Sequence, residues 1–275
     1  MGSKADFRIF AICVTKNEND VIAHSLREAS RWADRIFVYD NGSTDGTWET
    51  AQRLADKQIV PWRQDAKPFQ EGLRAEVFNA FRGESRPGDW WCRLDSDEFY
   101  LQNPRQFLAG VAWPCHTVWG LSIDFYLTSD DLERLNFDEP VENILPQLRH
   151  YSSKHSETRF FRDRRRLTWS EQHAWPAHVG LSWPEQIRLR HYKYRSPRQI
   201  QARLDTRHEA IKRGFPGWWA QCPTEWRQQI CKAEDLRLDT GDGRYLSDPQ
   251  ALTLHLESKP RRLVKRILHG TGIWP

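Results

Sequence analysis

The first hundred residues switch hydrophobic period repeatedly, and that switching restricts the chain to few folds. Phe7 to Val14 is an apolar run broken only by Arg8, the pattern of a strand buried on both faces. Asn17 to Asp20 supplies capping and acidic residues, and Val21, Ile22, Leu26, Ala29 and Ala33 then follow a helical period. Ile36 to Tyr39 reads as a second strand, Asn41-Gly42-Ser43-Thr44-Asp45-Gly46 as a turn cluster, Thr47 to Ala55 as a helix and Ile59 to Trp62 as a third strand. A helix over Phe69 to Phe81, a break at Pro87-Gly88 and a fourth strand from Trp90 to Leu94 complete the series. Alternation at this spacing predicts an α/β fold with a mostly parallel sheet and helices on both faces.

After Tyr100 the pattern loosens. Trp113 to Phe125 and Thr158 to Phe161 read as strands, the Arg162 to Arg166 run as a solvated turn, and Gln186 to Tyr194 as a strand with one wet face. From Pro197 onward the chain reads as helical, with Ile200, Leu204 and Ile211 on one face and Trp226 to Leu238 as a later helix. The best boundary is Arg195-Ser196-Pro197. Residues 1–195 then form one domain, with halves 1–110 and 111–195, and residues 196–275 a helical C-terminal extension with a basic tail.

A chain of 275 residues can bury a sizeable core. Its 41 Lys+Arg against 37 Asp+Glu leave a net charge of +4. Such a mild excess suits an anionic substrate or a membrane surface better than a nucleic-acid binder. The longest stretch free of charged residues, Gln106 to Ile123, contains Gly110, Pro114, His116 and Gly120 and falls short of a membrane span. Met1 to Phe10 carries no signal-peptide pattern, and the five cysteines are scattered without a CxxC, so a reduced, cytoplasmic setting is expected.

The strongest chemical signal is Arg93-Leu94-Asp95-Ser96-Asp97-Glu98-Phe99. Continued strand geometry would point Asp95 and Asp97 the same way and Glu98 the other. Two carboxylates that close repel unless a cation lies between them, and hard divalent cations take such ligands together with substrate phosphates. An acidic strand end that caps the next helix is the plainer alternative. Thr15-Lys16-Asn17-Glu18 and Asp40-Asn41-Gly42-Ser43 leave the sheet on the same edge, where α/β folds bind ligands. Their polar side chains suit a base and a ribose, though turns use the same residue types.

Val14-Thr15-Lys16-Asn17-Glu18, Val38-Tyr39-Asp40-Asn41-Gly42-Ser43-Thr44-Asp45-Gly46-Thr47 and Leu94-Asp95-Ser96-Asp97-Glu98-Phe99 together resemble the motifs of family 2 glycosyltransferases with the GT-A fold, nearest to those that build bacterial lipopolysaccharide and other surface glycans. The resemblance covers about the first hundred residues. It implies a Rossmann-like GT-A sheet, a nucleotide-sugar donor (a UDP-sugar by default), a Mn²⁺ or Mg²⁺ ion, and a glycan or lipid-linked acceptor. By position it places Thr15, Asn17, Glu18, Asp40, Arg74, Asp95 and Ser96 around the nucleotide sugar and Asp95 and Asp97 at the metal. His191, in Arg190-His191-Tyr192-Lys193, matches a late histidine that completes the metal shell in such enzymes, and a structural role in a basic strand is equally open.

Inverting transfer requires a base for the acceptor proton. Glu171, in Trp169-Ser170-Glu171-Gln172-His173, and Asp124 are the candidates, each also readable as a solvated acid. Of the 14 Trp, Trp113, Trp119, Trp169, Trp175 and Trp183 fall in the acceptor half, where indole faces suit sugar rings or simply fill the core. Residues 259–268 carry five cations with Leu263/Ile267 and Val264/Leu268 at i,i+4 spacing. This pattern fits peripheral contact with an anionic membrane, or a terminal helix docked with its basic face in water. Two other functions are open: a sugar nucleotidyltransferase, disfavoured because no glycine lies between Gly2 and Gly42, and a non-catalytic nucleotide- or carbohydrate-binding module.

Overall fold

The computed structural model describes residues 6–214 and 222–275. Residues 1–5, part of the leader reading, and 215–221, part of the helical reading after Pro197, lie outside the described residues. The donor half runs β1 (Ile9–Thr15), α1 (Ile22–Ala29), β2 (Arg35–Asp40), α2 (Thr47–Arg53), β3 (Ile59–Gln64), α3 (Leu73–Phe81), β4 (Trp90–Leu94), β5 (Glu98–Tyr100) and α4 (Pro104–Ala109). The second half continues with β6 (Cys115–Tyr126), α5 (Ser129–Arg134), α6 (Val141–Ile144), β7 (His150–Arg162), β8 (Leu181–Ser182) and β9 (Ile187–His191). Then come α7 (Pro197–Lys212), β10 (Arg237–Leu238), α8 (Pro249–Thr253) and α9 (Lys259–Gly270).

The sheet order is β3-β2-β1-β4-β7-β6-β9-β5. Strands β3, β2, β1 and β4 are mutually parallel, and β7 then joins β4 antiparallel. All seven residues of β1 are buried, as its continuous apolar sequence demands. Strand alternation sends Ile9, Ala11 and Cys13 into a core shared with Ile22, Leu26 and Ala29 of α1. Phe10, Ile12 and Val14 face the opposite core, shared with Leu73, Val77 and Phe78 of α3. Helices therefore cover both faces, as the periodicity predicts. Adjacent Trp90 and Trp91 are fully buried, one in each core.

Several local expectations change. Asn17 to Asp20 do not cap α1, which starts after Val21 with no side-chain cap. Helix α3 is shorter than its periodicity suggests, because residues 65–72 form a loop held at the β2 exit by Asn41, whose Nδ2 donates to the Asp65 and Lys67 carbonyls (3.1 and 2.7 Å). Strand β7 is far longer than Thr158 to Phe161, since its polar first half is stabilised by ladder pairing with β6. Trp226 to Leu238 is not a helix. It holds short 3₁₀ turns at Trp226–Gln229 and Ala233–Asp235, and then β10 pairs Arg237 with Tyr151 of β7. The capping box of Glu225 and Gln228 closes the first turn locally, and sheet pairing takes the end of the segment. In α7, capped by the Ser196 side chain with Pro197 at its first position, Ile200 and Leu204 are buried while Ile211 is only partly so.

Arg162 to Arg166 is not a wholly solvated turn either. Arg164 is buried, where it donates to the His178 carbonyl (2.6 Å) and to that of Pro275. Burial lowers its pKa to about 10. Among the described residues no helix is long and apolar enough to cross a membrane.

His116 of β6 is buried between Trp113 and His269, with ring centroids 4.7 and 5.4 Å away. Burial first, then the nearby Arg164, His269 and Arg162, pushes its pKa down to about 3. The unfolded chain protonates this ring below about 6.5 and the folded chain does not, so the unfolded state binds more protons between those values and stability falls as pH drops through that window. His116→Gln should lose less Tm than the wild type between pH 7 and pH 4, as read by thermal unfolding; an equal loss in both proteins would contradict this account.

Candidate active site

Because β1, β2 and β4 are parallel, their exits at Thr15, Asp40 and Leu94 share one edge of the sheet. Thr15 Oγ1 lies 3.5 Å from Ser96 Oγ, joining the first exit to the acidic motif. Asn17 adopts a left-handed backbone (φ +54), a conformation asparagine tolerates better than most residues. Its N–H donates to Ser43 Oγ (2.8 Å), its Oδ1 accepts from the Thr44 N–H (2.9 Å), and its Nδ2 donates to Thr206 Oγ1 of α7 (3.2 Å). Asn17 thus stitches three segments together. Asp40 is fully buried, its Oδ1 accepting from the Ser43 N–H (2.7 Å) and Gln64 Nε2 (3.2 Å). Its Oδ2 is buried without a protein partner.

Strand β4 ends at Leu94, and Asp95-Ser96-Asp97 is a turn closed by the Glu98 N–H on the Asp95 carbonyl (3.2 Å). Strand alternation therefore does not orient the two aspartates, contrary to the sequence argument; their partners do. Asp95 Oδ1 accepts from Arg74 Nη2 (2.6 Å), and Oδ2 from Arg93 Nε (3.0 Å) and Arg159 Nη1 (2.9 Å). Burial would raise this carboxyl, but Arg93, Arg74 and Arg159 hold it well below the usual carboxylate range. Arg159 also pairs with Glu98, which does not face away as strand alternation suggested but stands opposite His191 across the sheet. Gly120 of β6 makes room for this, since a Cβ there would lie 2.5 Å from Arg159 Cγ.

Sheet register builds the other side. Strand β9 places His191 opposite Glu98 of β5 and opposite Asp124 of β6. His191 Nδ1 lies 2.8 Å from Asp124 Oδ1, and Nε2 lies 3.4 Å from Asp97 Oδ2. Burial opposes protonation of this ring, but Asp97 and Asp124 outweigh it and raise the pKa to about 10. Asp124 is 1% exposed and also accepts from Ser122 Oγ (2.6 Å). Against the penalty of burial, the His191 and Ser122 hydrogen bonds hold its carboxyl at about 2. Asp97 Oδ2 also accepts from Arg203 Nη1 of α7 (3.0 Å).

Among the described residues no group of three or more His, Cys, Asp or Glu side chains is arranged around a metal position. Asp97 and His191 nevertheless form a pair of the right chemistry. Two neighbouring ligands of one Mg²⁺-like cation, each at about 2.1 Å, sit about 3 Å apart, close to what this pair shows. Asp124 behind Nδ1 is the second partner that metal-bound histidines have. The pair thus offers one carboxylate oxygen and one imidazole nitrogen of the kind a divalent cation takes, which in this structure pair with each other. Asp95, already facing three guanidinium groups, does not join that pair.

Sequence reasoning did not single out Arg93, Arg159, Arg195 or Arg203 as site residues. Arg195, 1% exposed, donates to Glu18 Oε2 (2.5 Å) and by Nε and Nη2 to Asp20 (2.9 and 2.8 Å). Arg203 also approaches Glu18 (3.5 Å). Arg203 follows Ile200 by three residues, and a cation on the flank of a buried helical face was the available signal. Glu171 is not brought into this cluster, and its side chain is exposed. Its backbone carbonyl instead fills the space beside Gly72, where a Cβ would lie 1.7 Å away, two residues before Arg74. Trp169 is core, packed on Phe78, Phe161 and Trp175. Arg195→Met should destabilise the fold by about 3–5 kcal/mol, because Glu18 and Asp20 lose their buried counter-charge; a denaturant midpoint within error of the wild type would contradict this.

The family model described as Glycosyl transferase family 2 matches residues 11–180. Three curated proteins named as uncharacterized glycosyltransferases match over 94 residues, one-third of this chain: those of Rickettsia conorii (30% identical), Rickettsia felis (33%) and Rickettsia typhi (32%). The matched stretch is 28–29% of those proteins, so the chain spans less than a third of the length of the curated relatives it matches. Among solved structures, mannosyl-3-phosphoglycerate synthase from Rubrobacter xylanophilus aligns over 79% of each chain at 14% identity with a TM-score of 0.37.

Proposed function

The chain belongs to glycosyltransferase family 2, and from that premise we propose that it transfers a sugar, with inversion, from a nucleotide-sugar donor to an acceptor hydroxyl. The observation that carries this reading is the convergence of the β1 exit, the Asp95–Asp97 turn, His191 and α7 on one sheet edge. In the reaction the acceptor oxygen forms a bond to the anomeric carbon, and the bond from that carbon to the diphosphate breaks with its electron pair leaving on the nucleoside diphosphate.

Asp40 Oδ2, buried and unpartnered, accepts an N–H of the nucleotide base; uracil is the assigned default. Asp97 and His191 would hold Mn²⁺ or Mg²⁺, which when bound stabilises the charge on the departing diphosphate. Asp124 positions the His191 ring through Nδ1 and, being buried, does not meet the acceptor. Arg74 and Arg159 hold Asp95 in place beside the donor. Arg203 adds positive charge where the diphosphate departs. Of the two candidate bases only Glu171 is open to an acceptor. It stands outside the charged cluster, on the loop packed against Gly72 two residues before Arg74, so its role as proton acceptor requires a bound acceptor that bridges from that loop to the Asp95–Asp97 turn. A glycan or a lipid-linked sugar, as in lipopolysaccharide assembly, is the acceptor class assigned.

Two measurements test the reading. Uridine diphosphate with Mn²⁺ should raise Tm, with about 2.7 kcal/mol of stabilisation at roughly a hundred times Kd, and Asp97→Ala should lose the Mn²⁺-dependent part. Glu171→Gln should keep that nucleotide shift while lowering kcat by about a hundredfold or more. If no nucleoside diphosphate shifts the wild type and no donor is consumed, the proposal fails; nucleotide binding without turnover would instead indicate a binding module.

A further inference from the structure

Helix α9 is mounted with polar groups inward. Lys265 donates to the Gly180 carbonyl (2.9 Å) and pairs with Glu257, and the His269 ring lies against His116 (5.4 Å). On the outward side Leu263, Val264 and Ile267 are 59, 52 and 53% exposed, and Ile273 just beyond the helix is 67% exposed. A helix that merely packed on the domain would face the other way. At 100° per residue Leu263, Ile267 and Val264 form one stripe, with exposed Lys259 and Arg266 along one margin and exposed Arg261 along the other. No acidic residue occurs from Ser258 to Pro275. Trp113, 70% exposed, sits one imidazole away, its ring 4.7 Å from His116.

We propose that α9 seats the protein on an anionic lipid bilayer, with Leu263, Val264 and Ile267 entering the headgroup boundary and Lys259, Arg261 and Arg266 meeting the lipid charge. The combination of an outward apolar stripe, cationic margins and a nearby exposed indole is that of a helix lying in a membrane interface. A second copy of this chain fits the face less well, because a two-fold contact through it sets the same cations against each other. The proposal stands apart from the donor chemistry, since α9 contributes no residue to the Asp95–Asp97 cluster.

The test is sedimentation of the full chain with vesicles of equal phosphatidylcholine and phosphatidylglycerol, against vesicles of phosphatidylcholine alone. The wild type should bind the anionic vesicles and bind the neutral ones far more weakly. Arg261→Gln with Arg266→Gln should lower the partition coefficient roughly thirtyfold, given about fivefold for each cation near the surface. Leu263→Glu with Ile267→Glu should lower it at least about tenfold, with circular dichroism and Tm unchanged because these side chains touch little of the domain. A wild type left in the supernatant with anionic vesicles overturns the proposal. So does undiminished binding by the Leu263→Glu, Ile267→Glu protein, or a dimer in light scattering that this double variant dissociates.

Discussion

Carboxylates placed in a dry interior are tolerable only where opposite charge reaches them at hydrogen-bonding distance, and this condition shapes the whole cluster. Glu18, Asp95, Asp97, Glu98 and Asp124 are each 9% exposed or less, or only partly open in the case of Asp95. Arg74, Arg93, Arg159, Arg195, Arg203 and His191 supply the compensation. These cations come from α3, β4, β7, β9, α7 and the segment between the last two. Neutralising one acidic turn therefore requires that distant parts of the chain be folded around it.

That dependence explains how much the sequence disclosed. The donor half was legible because its information is local: the buried run of β1, the helical spacing of Ile22, Leu26 and Ala29, and the turn residues after Asp40 all act within a few positions. Asp95 and Asp97 stood out as candidates by their place at a strand end, and Arg74 and His191 by the family resemblance; the structure pairs Arg74 with Asp95 and His191 with Asp97. Arg159 and Arg203 were not, because their importance comes from register and helix rotation, which no short window contains. Gly120 and Gly72 belong with them: each is needed for what approaches it from elsewhere, Arg159 in one case and the Glu171 carbonyl in the other.

The division at Arg195 also looks different in three dimensions. The Ser196-Pro197 helix start is a break in local pattern, but Arg195 and Arg203 on either side of it both reach acidic groups from the first hundred residues. Asn17 makes the same connection through Thr206. A change in periodicity marks where one element ends, and here the next element completes the site built by the earlier ones.

The in-step pairing of Glu98, His191 and Asp124 across three neighbouring strands makes β9 a kind of vernier. Sliding it by one position would present Arg190 or Tyr192 in place of the imidazole and reverse which side chains meet the core. Insertions or deletions between β8 and β9 should accordingly be tolerated in evolution only where the loop absorbs them whole.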